Sequence, residues 1–367
     1  MRKMVKIFPL NEINLIKDIG RFSSENGIKT YLVGGCVRDW LLGKKNKDLD
    51  FTADKDPVKI AVYCIEKYGG TCRKFAQFGT YRISLKNGLK IDFARHRSEK
   101  YLKPAVLPQV IPAETIGEDL KRRDFTANAL AASILSDDFG RIADVCGGLT
   151  DIKKGIIRVI HDKSFIDDPT RIFRAARYCG RYGWRLDVKT EKLLLECVAK
   201  KIPGLLSRER IRQELFNILE EKNPLKVFDF LKKWNALTYI YPGLKYSELL
   251  LKTRSMEVRL GILAAESQGS PPQADEFLKN LNPERNLFLR IKSALEIHYK
   301  KASPKKELAR VEKEIIKILN PQIACAGLKP LFINGFDLEK SGFANKTSYS
   351  SILDRAACAQ WRGGFKT

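Results

Sequence analysis

Histidine is scarce in this chain, with three residues, His96, His161 and His298, among 367. A phosphohydrolase that mounts its metals on an HD motif needs several more, so the His161-Asp162 dipeptide does not carry that chemistry. The eight cysteines (Cys36, Cys64, Cys72, Cys146, Cys179, Cys197, Cys325 and Cys358) stand singly, with no CxxC spacing. That pattern excludes a zinc ribbon and a dithiol redox motif, and it points to free thiols in a reducing compartment. No apolar run reaches the ~18–20 residues of a membrane span. The charged start, Met1-Arg-Lys-Met-Val-Lys, is not followed by an apolar run with a cleavage site. A cytoplasmic protein without membrane contact is the expectation. Neither a P-loop nor a GxSxG elbow is present.

Acidic residues are also few relative to basic ones. Lys and Arg number 67 against 43 Asp and Glu, a formal net charge of +24. A field of that sign and size attracts polyanions, nucleic acid being the commonest, although a merely soluble basic protein has the same arithmetic. Hydrophobic residues make up 44%, enough for packed cores. The length fits two or three domains.

The first ~140 residues read as mixed α/β. Asn11–Asn26 has the apolar spacing of an amphipathic helix. Tyr31-Leu32-Val33 is a short strand running into Gly34-Gly35, and Asp50-Phe51-Thr52 is a second. A helix is expected up to Tyr68, with Asp56 as its N-cap and Pro57 in its first turn. Thr80–Leu85 and Leu89–Arg95 should form a hairpin across Lys86-Asn87-Gly88, since Asn-Gly is a turn signal. From about Ile152 helical periodicity dominates, over Pro169–Arg181, Lys189–Lys200, Arg208–Glu221 and Pro224–Trp234. Ser267-Gln-Gly-Ser-Pro-Pro-Gln273 reads as a loop and a possible boundary, and Lys300–Lys306 as a charged linker or exposed helical end. No internal repeat is evident.

The densest chemical signal is Leu32-Val-Gly-Gly-Cys-Val-Arg-Asp-Trp-Leu-Leu-Gly43 followed by Asp48-Leu-Asp50. Glycines after a strand let backbone N–H groups approach a phosphate, and Arg38, one turn on, can fork onto phosphate oxygens. Asp48 and Asp50, two apart on a strand, point to one face, where a cation offsets their repulsion. Mg²⁺ prefers oxygen ligands and substrate phosphates, so the pair suits two-metal phosphoryl transfer. Asp92, between Ile91 and Phe93, is either a third acid of this site or an alternating solvent-facing residue. Taken alone, a Gly-Gly pair is usually a turn and an Asp-x-Asp a surface loop; their order raises the odds.

This run resembles the nucleotidyltransferase signature of the DNA polymerase β superfamily. More narrowly, it resembles motif A of the class II tRNA nucleotidyltransferases, the CCA-adding enzymes, and bacterial poly(A) polymerases. Asp119–Ala131, containing Arg-Arg-Asp-Phe-Thr-Ala-Asn-Ala, is similar to motif B. Asp144-Val-Cys-Gly-Gly148 resembles motif C, and Asp167-Asp-Pro-Thr-Arg171 motif D, with Asp167 where Glu is usual. Ser207–Leu215 is similar to motif E. Five ordered motifs cover roughly the first 60% of the chain; the Phe332–Gly342 segment and the end around Trp361 resemble the family's tail more loosely.

The resemblance implies an α+β head of polymerase-β type, a mixed sheet with helices, followed by an all-α neck, body and tail. The boundaries expected are 1–140, 141–225 and 226–367. It implies catalytic Asp48, Asp50 and Asp92, with metal on Asp48 and Asp50. Gly34, Gly35, Arg38, Arg123, Asp124 and Asn128 would bind the nucleotide, the last three, spaced i, i+1 and i+5 to reach out from one helical face, reading its ribose. Asp168 and Arg171, three apart on a helix, would template the base: an acceptor and a donor fork match cytosine and adenine and mismatch uracil and guanine. Capping is the alternative role for Asp167 and Asp168. Arg174 and Arg177 continue a basic stripe that could face the triphosphate, although a solvated face or partners for motif E carboxylates are equally open. Ser98–Glu114 stands where the family has a flexible loop that helps the switch from CTP to ATP.

The activity so implied is Mg²⁺-dependent addition of C and/or A to the 3′ acceptor end of tRNA, from CTP and ATP with release of pyrophosphate. A partial enzyme adding only A or only CC, and a bacterial poly(A) polymerase, are the alternatives; a catalytically dead RNA-binding protein is disfavoured by the intact acid pair. No protein partner is expected. Body and tail would bind tRNA by shape and backbone.

Overall fold

The structure, a computed structural model, describes residues 12–46, 48–75, 79–268, 271–299, 308–321 and 333–342, with 349, 352–353 and 355–356. The chain divides into two compact units, Met1–Leu205 and Leu206–Thr367.

The first unit is built on one mixed sheet. Its strands are β1 (Thr30–Val33), β2 (Asp48–Ala53), β3 (Thr71–Phe75), β4 (Thr80–Ser84), β5 (Lys90–Arg95), β8 (Ala131–Ser133) and β9 (Ile142–Ala143). Their order is β3-β4-β5-β2-β1-β8-β9. Only the central β2–β5 contact is parallel; the other pairs are antiparallel. A separate hairpin joins β6 (Arg97–Lys100) to β7 (Gln109–Pro112).

Period-2 alternation decides which side of each strand enters the core. Leu49 and Phe51 of β2 and Ile91 and Phe93 of β5 are buried in it, and the Phe51 and Phe93 rings stack at 4.9 Å. Asp48, Asp50 and Asp92 occupy the alternate positions, so the sheet presents them together on its other face. The core side is covered by α1 (Ile13–Glu25) and α3 (Val58–Tyr68). Leu15, Ile16 and Ile19 of α1 face inward, as the sequence spacing predicts. The β4–β5 hairpin turns across Lys86-Asn87-Gly88 as expected, with Leu85 N–H donating to the Leu89 carbonyl at 3.0 Å and Gly88 at φ 83°. In α3 the N-cap is Pro57, one residue later than expected; Asp56 Oδ1 still accepts from Val58 N–H at 2.9 Å.

The glycine cradle is a strand-to-helix turn: Gly34, at φ 75°, ends β1 and opens α2 (Gly35–Leu41). The chain then passes through α4 (Ile116–Lys121), α5 (Gly148–Lys154), α6 (Ser164–Asp167), α7 (Thr170–Tyr182) and α8 (Val188–Ala199). This stretch is not purely helical, because β10 (Ile156–Ile157) pairs in parallel with β11 (Arg185–Leu186). The Asp-x-x-Gly-Gly motif has a local structural task. Asp144 accepts from the N–H groups of Gly148 and Leu149 at 2.8 and 3.0 Å and caps α5.

In the second unit the described residues are helical: α9 (Arg208–Leu219), α10 (Pro224–Lys233), α11 (Met256–Gln268), α12 (Pro271–Leu281), α13 (Arg285–His298), α14 (Arg310–Leu319) and α15 (Gly335–Lys340). Phe228 and Trp234 are buried in its core, while Phe230, Tyr239 and Tyr241 are only partly buried. Of Ser267–Gln273, read as a loop, Ser267-Gln268 end α11 and Pro271–Gln273 begin α12, while Gly269 and Ser270 lie outside the described residues. Proline is tolerated in a first turn, where its missing N–H has no helical partner to lose, so Pro271-Pro272 begins a helix. Lys300–Lys306, Phe332 and the segment around Trp361 lie outside the described residues.

Gly20 of α1 lets that helix approach the sheet: a Cβ there would lie 1.8 Å from the Ile134 carbonyl oxygen. Gly20→Ala should therefore push α1 off the core and cost about 1–3 kcal/mol, an overpacking penalty. The check is a drop of several degrees in thermal midpoint, with Gly117→Ala, a helical glycine whose added Cβ would meet only ordinary contacts at 3.9 Å, separating this contact from the general effect of alanine.

Candidate active site

One cleft of the first unit is lined by Gly34, Gly35, Arg38, Asp50, Glu99, Tyr101, Arg122, Arg123, Asp124, Asn128, Asp168, Arg171, Arg174 and Tyr178. Beside it, Asp48, Leu49, Asp50, Arg82, Lys90 and Asp92 line a second concavity, and Asp50 belongs to both. Thus β2 joins an acidic face to a basic, glycine-floored cleft.

Asp50 and Asp92 are register partners across the parallel β2–β5 pair. Burial, together with the Asp92 and Asp48 carboxylates, pushes the Asp50 carboxyl up to about 6, with Arg123 opposing. A cation placed beside such a carboxyl favours its charged form and offsets the repulsion from its neighbours. Asp48 is exposed and shares the face. Among the described residues no three His, Cys, Asp or Glu side chains close on a single point. Ions of the Mg²⁺ type do not require that, since they take one or two carboxylates and complete their shell with water and substrate phosphate. The donor set therefore fits a divalent cation.

The floor of the cleft is tight. Gly34 stands at φ 75°, which favours glycine, and a Cβ there would sit 2.8 Å from Arg123 Nη1 and displace that guanidinium. Arg123 donates to Asp119 at 2.9 Å, and Arg122 holds the same carboxylate with Nε and Nη2 at 3.0 and 2.9 Å. Asp119 is fully buried, and these two guanidiniums overcome desolvation and hold its carboxyl down at about 2.

Asp124 is a second hub. Its Oδ1 accepts from Asn128 Nδ2 at 2.9 Å and from Phe125 N–H at 2.8 Å; Oδ2 accepts from Arg174 Nε at 2.8 Å. Arg174 prevails over burial and keeps this carboxyl at about 2 as well. The Arg123, Asp124 and Asn128 side chains are not presented by one continuous helix, as their spacing suggests. A 3₁₀ turn, Thr126–Asn128, follows α4 after a break, and tertiary hydrogen bonds bring the three together.

Arg38 is buried and largely engaged. Nε and Nη2 donate to Asp39 at 3.0 and 2.9 Å, Nη1 donates to Asn128, and the guanidinium lies 5.0 Å from the ring centres of both Tyr178 and Tyr182. Tyr182 O–H donates to Asp39 at 2.7 Å. The fork expected to grip phosphate thus ties the glycine cradle to α7.

Asp168 and Arg171 do share the cleft wall. Asp168 Oδ1 accepts from Thr170 N–H and Oγ1–H at 3.1 and 2.6 Å, so it also caps α7, whose first residue is Thr170 rather than Pro169. Arg171 donates to Ser164 Oγ at 2.6 Å and to the Arg122 carbonyl at 3.0 Å, which fixes its fork. Asp167 lies outside the cleft, 3.9 Å from His161. Arg177 does not line it either, while Arg174 does. The sequence reading missed Glu99, Tyr101, Arg122 and Tyr178. Glu99 pairs with Arg122 at 3.0 Å and accepts from Tyr101 O–H at 3.1 Å, a cross-link at the root of the β6–β7 hairpin. Tyr178 could have been found one turn beyond Arg174 on the same helix face.

Known proteins resemble this chain in sequence and in fold. Residues 30–158 match the poly A polymerase head domain family. An A-adding tRNA nucleotidyltransferase of Aquifex aeolicus is 39% identical over 225 residues, 61% of this chain and 27% of that protein. One of Halalkalibacterium halodurans is 33% identical over 266 residues, 71% of this chain and 60% of that protein. The chain thus spans between about a quarter and three fifths of these relatives' length. The Thermotoga maritima CCA-adding enzyme complexed with tRNA superposes with a TM-score of 0.72 at 28% identity, covering 100% of this chain and 96% of that one.

Asp119 and Asp124 also set an acid limit on the fold. Their carboxyls lie below the ordinary 3.8 when folded, so their contribution is complete above that value and is lost as pH falls from about 4 to about 2. At roughly 1.4 kcal/mol per unit, each contributes on the order of 2 kcal/mol. Urea unfolding between pH 5 and pH 2.5 should show the loss, and Asp124→Asn should be less stable at pH 6 yet less sensitive to acid.

Proposed function

We propose that this chain, which belongs to the class II tRNA nucleotidyltransferase and poly(A) polymerase family, adds C and/or A to the 3′ end of tRNA from CTP or ATP, releasing pyrophosphate. The observation that carries this reading is the joining of three chemistries in one unit: the carboxylate face at Asp48, Asp50 and Asp92, the Gly34-Gly35 floor, and the Asp168/Arg171 wall. No helix of the described residues is long and apolar enough to cross a membrane, and a polyanionic substrate agrees with the +24 charge.

In this reading Asp48 and Asp50 hold Mg²⁺, with Asp92 beside them; when bound, the ion lowers the pKa of the attacking 3′ hydroxyl and offsets charge on the leaving pyrophosphate. Gly34 and Gly35 let backbone N–H groups approach the triphosphate. Arg123 supplies positive charge at the same floor. Asp124 and Asn128 present hydrogen-bonding groups to the ribose. Arg174 acts by fixing Asp124. Arg171, held by Ser164 and the Arg122 carbonyl, offers its remaining donors to the base edge, and Asp168 offers an acceptor. Cytosine and adenine both present an exocyclic amine beside a ring acceptor; uracil and guanine present the reverse and leave the wall unpaired. Asp167 and Arg177 serve as outer support. Residues 141–225 act as the neck that reads the base, and residues 226–367 as the tRNA-binding body and tail.

Both relatives compared above are named A-adding, which favours ATP in the last position as a narrower version of the same activity. The deciding assay offers tRNA ending at the discriminator base, at C or at CC to each nucleotide alone. Incorporation of CTP excludes the A-only version, and extension of oligo(A) in preference to tRNA points to poly(A) synthesis. Asp50→Asn should lower incorporation by at least about 10³-fold, the several kcal/mol a metal supplies, while tRNA binding persists. Arg171→Ala should narrow discrimination against UTP and GTP by about 10–100-fold, the worth of one bidentate base contact. Unchanged discrimination would remove the templating role.

A further inference from the structure

Arg82 stands opposite Asp92 in the antiparallel β4–β5 register. Its Nε donates to Asp92 Oδ1 at 2.8 Å and its Nη2 to Oδ2 at 2.6 Å, so both oxygens of the third carboxylate are taken by one guanidinium fork. Asp50, the half-buried acid of the site, lies next to Asp92 across the β2–β5 pairing. A cation seated between Asp50 and Asp92 would therefore meet a resident positive charge already on one of its ligands. That guanidinium is weakly held: the Arg82 side chain is 49% exposed, and solvent screening leaves exposed pairs worth at most about 1 kcal/mol. It is also long enough to swing aside into solvent without disturbing the strand.

We propose that Arg82 is a built-in counter-ion of the carboxylate face, which neutralises Asp92 while no divalent ion is present and is displaced when one binds. Arg82 is thus a positioning residue that sets the metal affinity of the site. It keeps two carboxylates close together on one sheet face at little cost to stability, and it lowers affinity for free divalent ions. Tight binding then waits for a substrate whose phosphates add further oxygen ligands. The inference rests on the metal reading of Asp48, Asp50 and Asp92 given above.

The test is Mn²⁺ titration of the full chain without nucleotide, followed by electron paramagnetic resonance. Arg82→Gln should bind Mn²⁺ up to about fivefold more tightly, the affinity equivalent of an exposed ion pair. Lys90→Gln removes an equal charge from the same concavity, opposite Asp48 in the β2–β5 register and without touching the Asp92 fork, and should raise affinity by less than Arg82→Gln does. Arg82→Lys, which keeps the charge and loses the fork, should fall between. In an Asp92→Asn background the Arg82→Gln gain should vanish. Equal gains from Arg82→Gln and Lys90→Gln, or a gain that survives Asp92→Asn, would overturn the counter-ion role while leaving the metal site standing. No Mn²⁺ binding by the wild-type chain, or binding indifferent to Asp50→Asn, would remove the metal reading and this inference with it.

Discussion

Like charges held close on a rigid face are the constraint around which the first unit is arranged. Asp50 and Asp92 cannot relax apart, because the parallel pairing of β2 and β5 fixes their backbones and Phe51 and Phe93 anchor the opposite face. Their repulsion must be met by cations. The structure supplies some of its own, with Arg82 on Asp92 and Arg123 near Asp50, yet the Asp50 carboxyl stays raised above its ordinary value. The surrounding architecture follows: a buried apolar face to hold the strands, a glycine floor without side chains in the way, and guanidiniums around the rim.

The basic side of the cleft is managed by a different device. Arg122 and Arg123 share Asp119, Arg174 takes Asp124, and Arg38 takes Asp39 and lies against two tyrosine rings. Each guanidinium near the cleft is oriented by a buried carboxylate or a carbonyl rather than left to solvent. Such preorganisation places donors where a polyanion will sit, with little conformational entropy left to lose on binding. Hydrogen bonds from Tyr182 through Asp39, Arg38, Asn128 and Asp124 to Arg174 also join the glycine-floor helix to α7, which bears Arg171 and is capped by Asp168.

Part of this was legible without coordinates. The Asp48-x-Asp50 alternation, the Gly34-Gly35 turn after a strand and the Asn-Gly hairpin each follow from local stereochemistry, and each stands where the spacing put it. The poly A polymerase head domain family, matched over residues 30–158, spans the runs read as motifs A to C. Less legible was how side chains are spent. Arg38 reads as a free phosphate fork, yet burial beside Asp39 and Asn128 engages it. Arg123, Asp124 and Asn128 read as one helix face, yet their convergence comes from a break between α4 and a 3₁₀ turn. Ser267–Gln273 reads as a loop because proline and serine favour turns, while Pro271 in a first turn is equally good at starting a helix.

The sequence by itself determined the chemistry available and its order along the chain, because strand alternation, glycine permissiveness and helix spacing act over a few residues. Only the tertiary structure decided that Asp92 lies beside Asp50, that Arg82 occupies its carboxylate, and that Glu99, Tyr101 and Tyr178 line the cleft. Those contacts join residues tens of positions apart through strand register and helix packing, which no local spacing encodes.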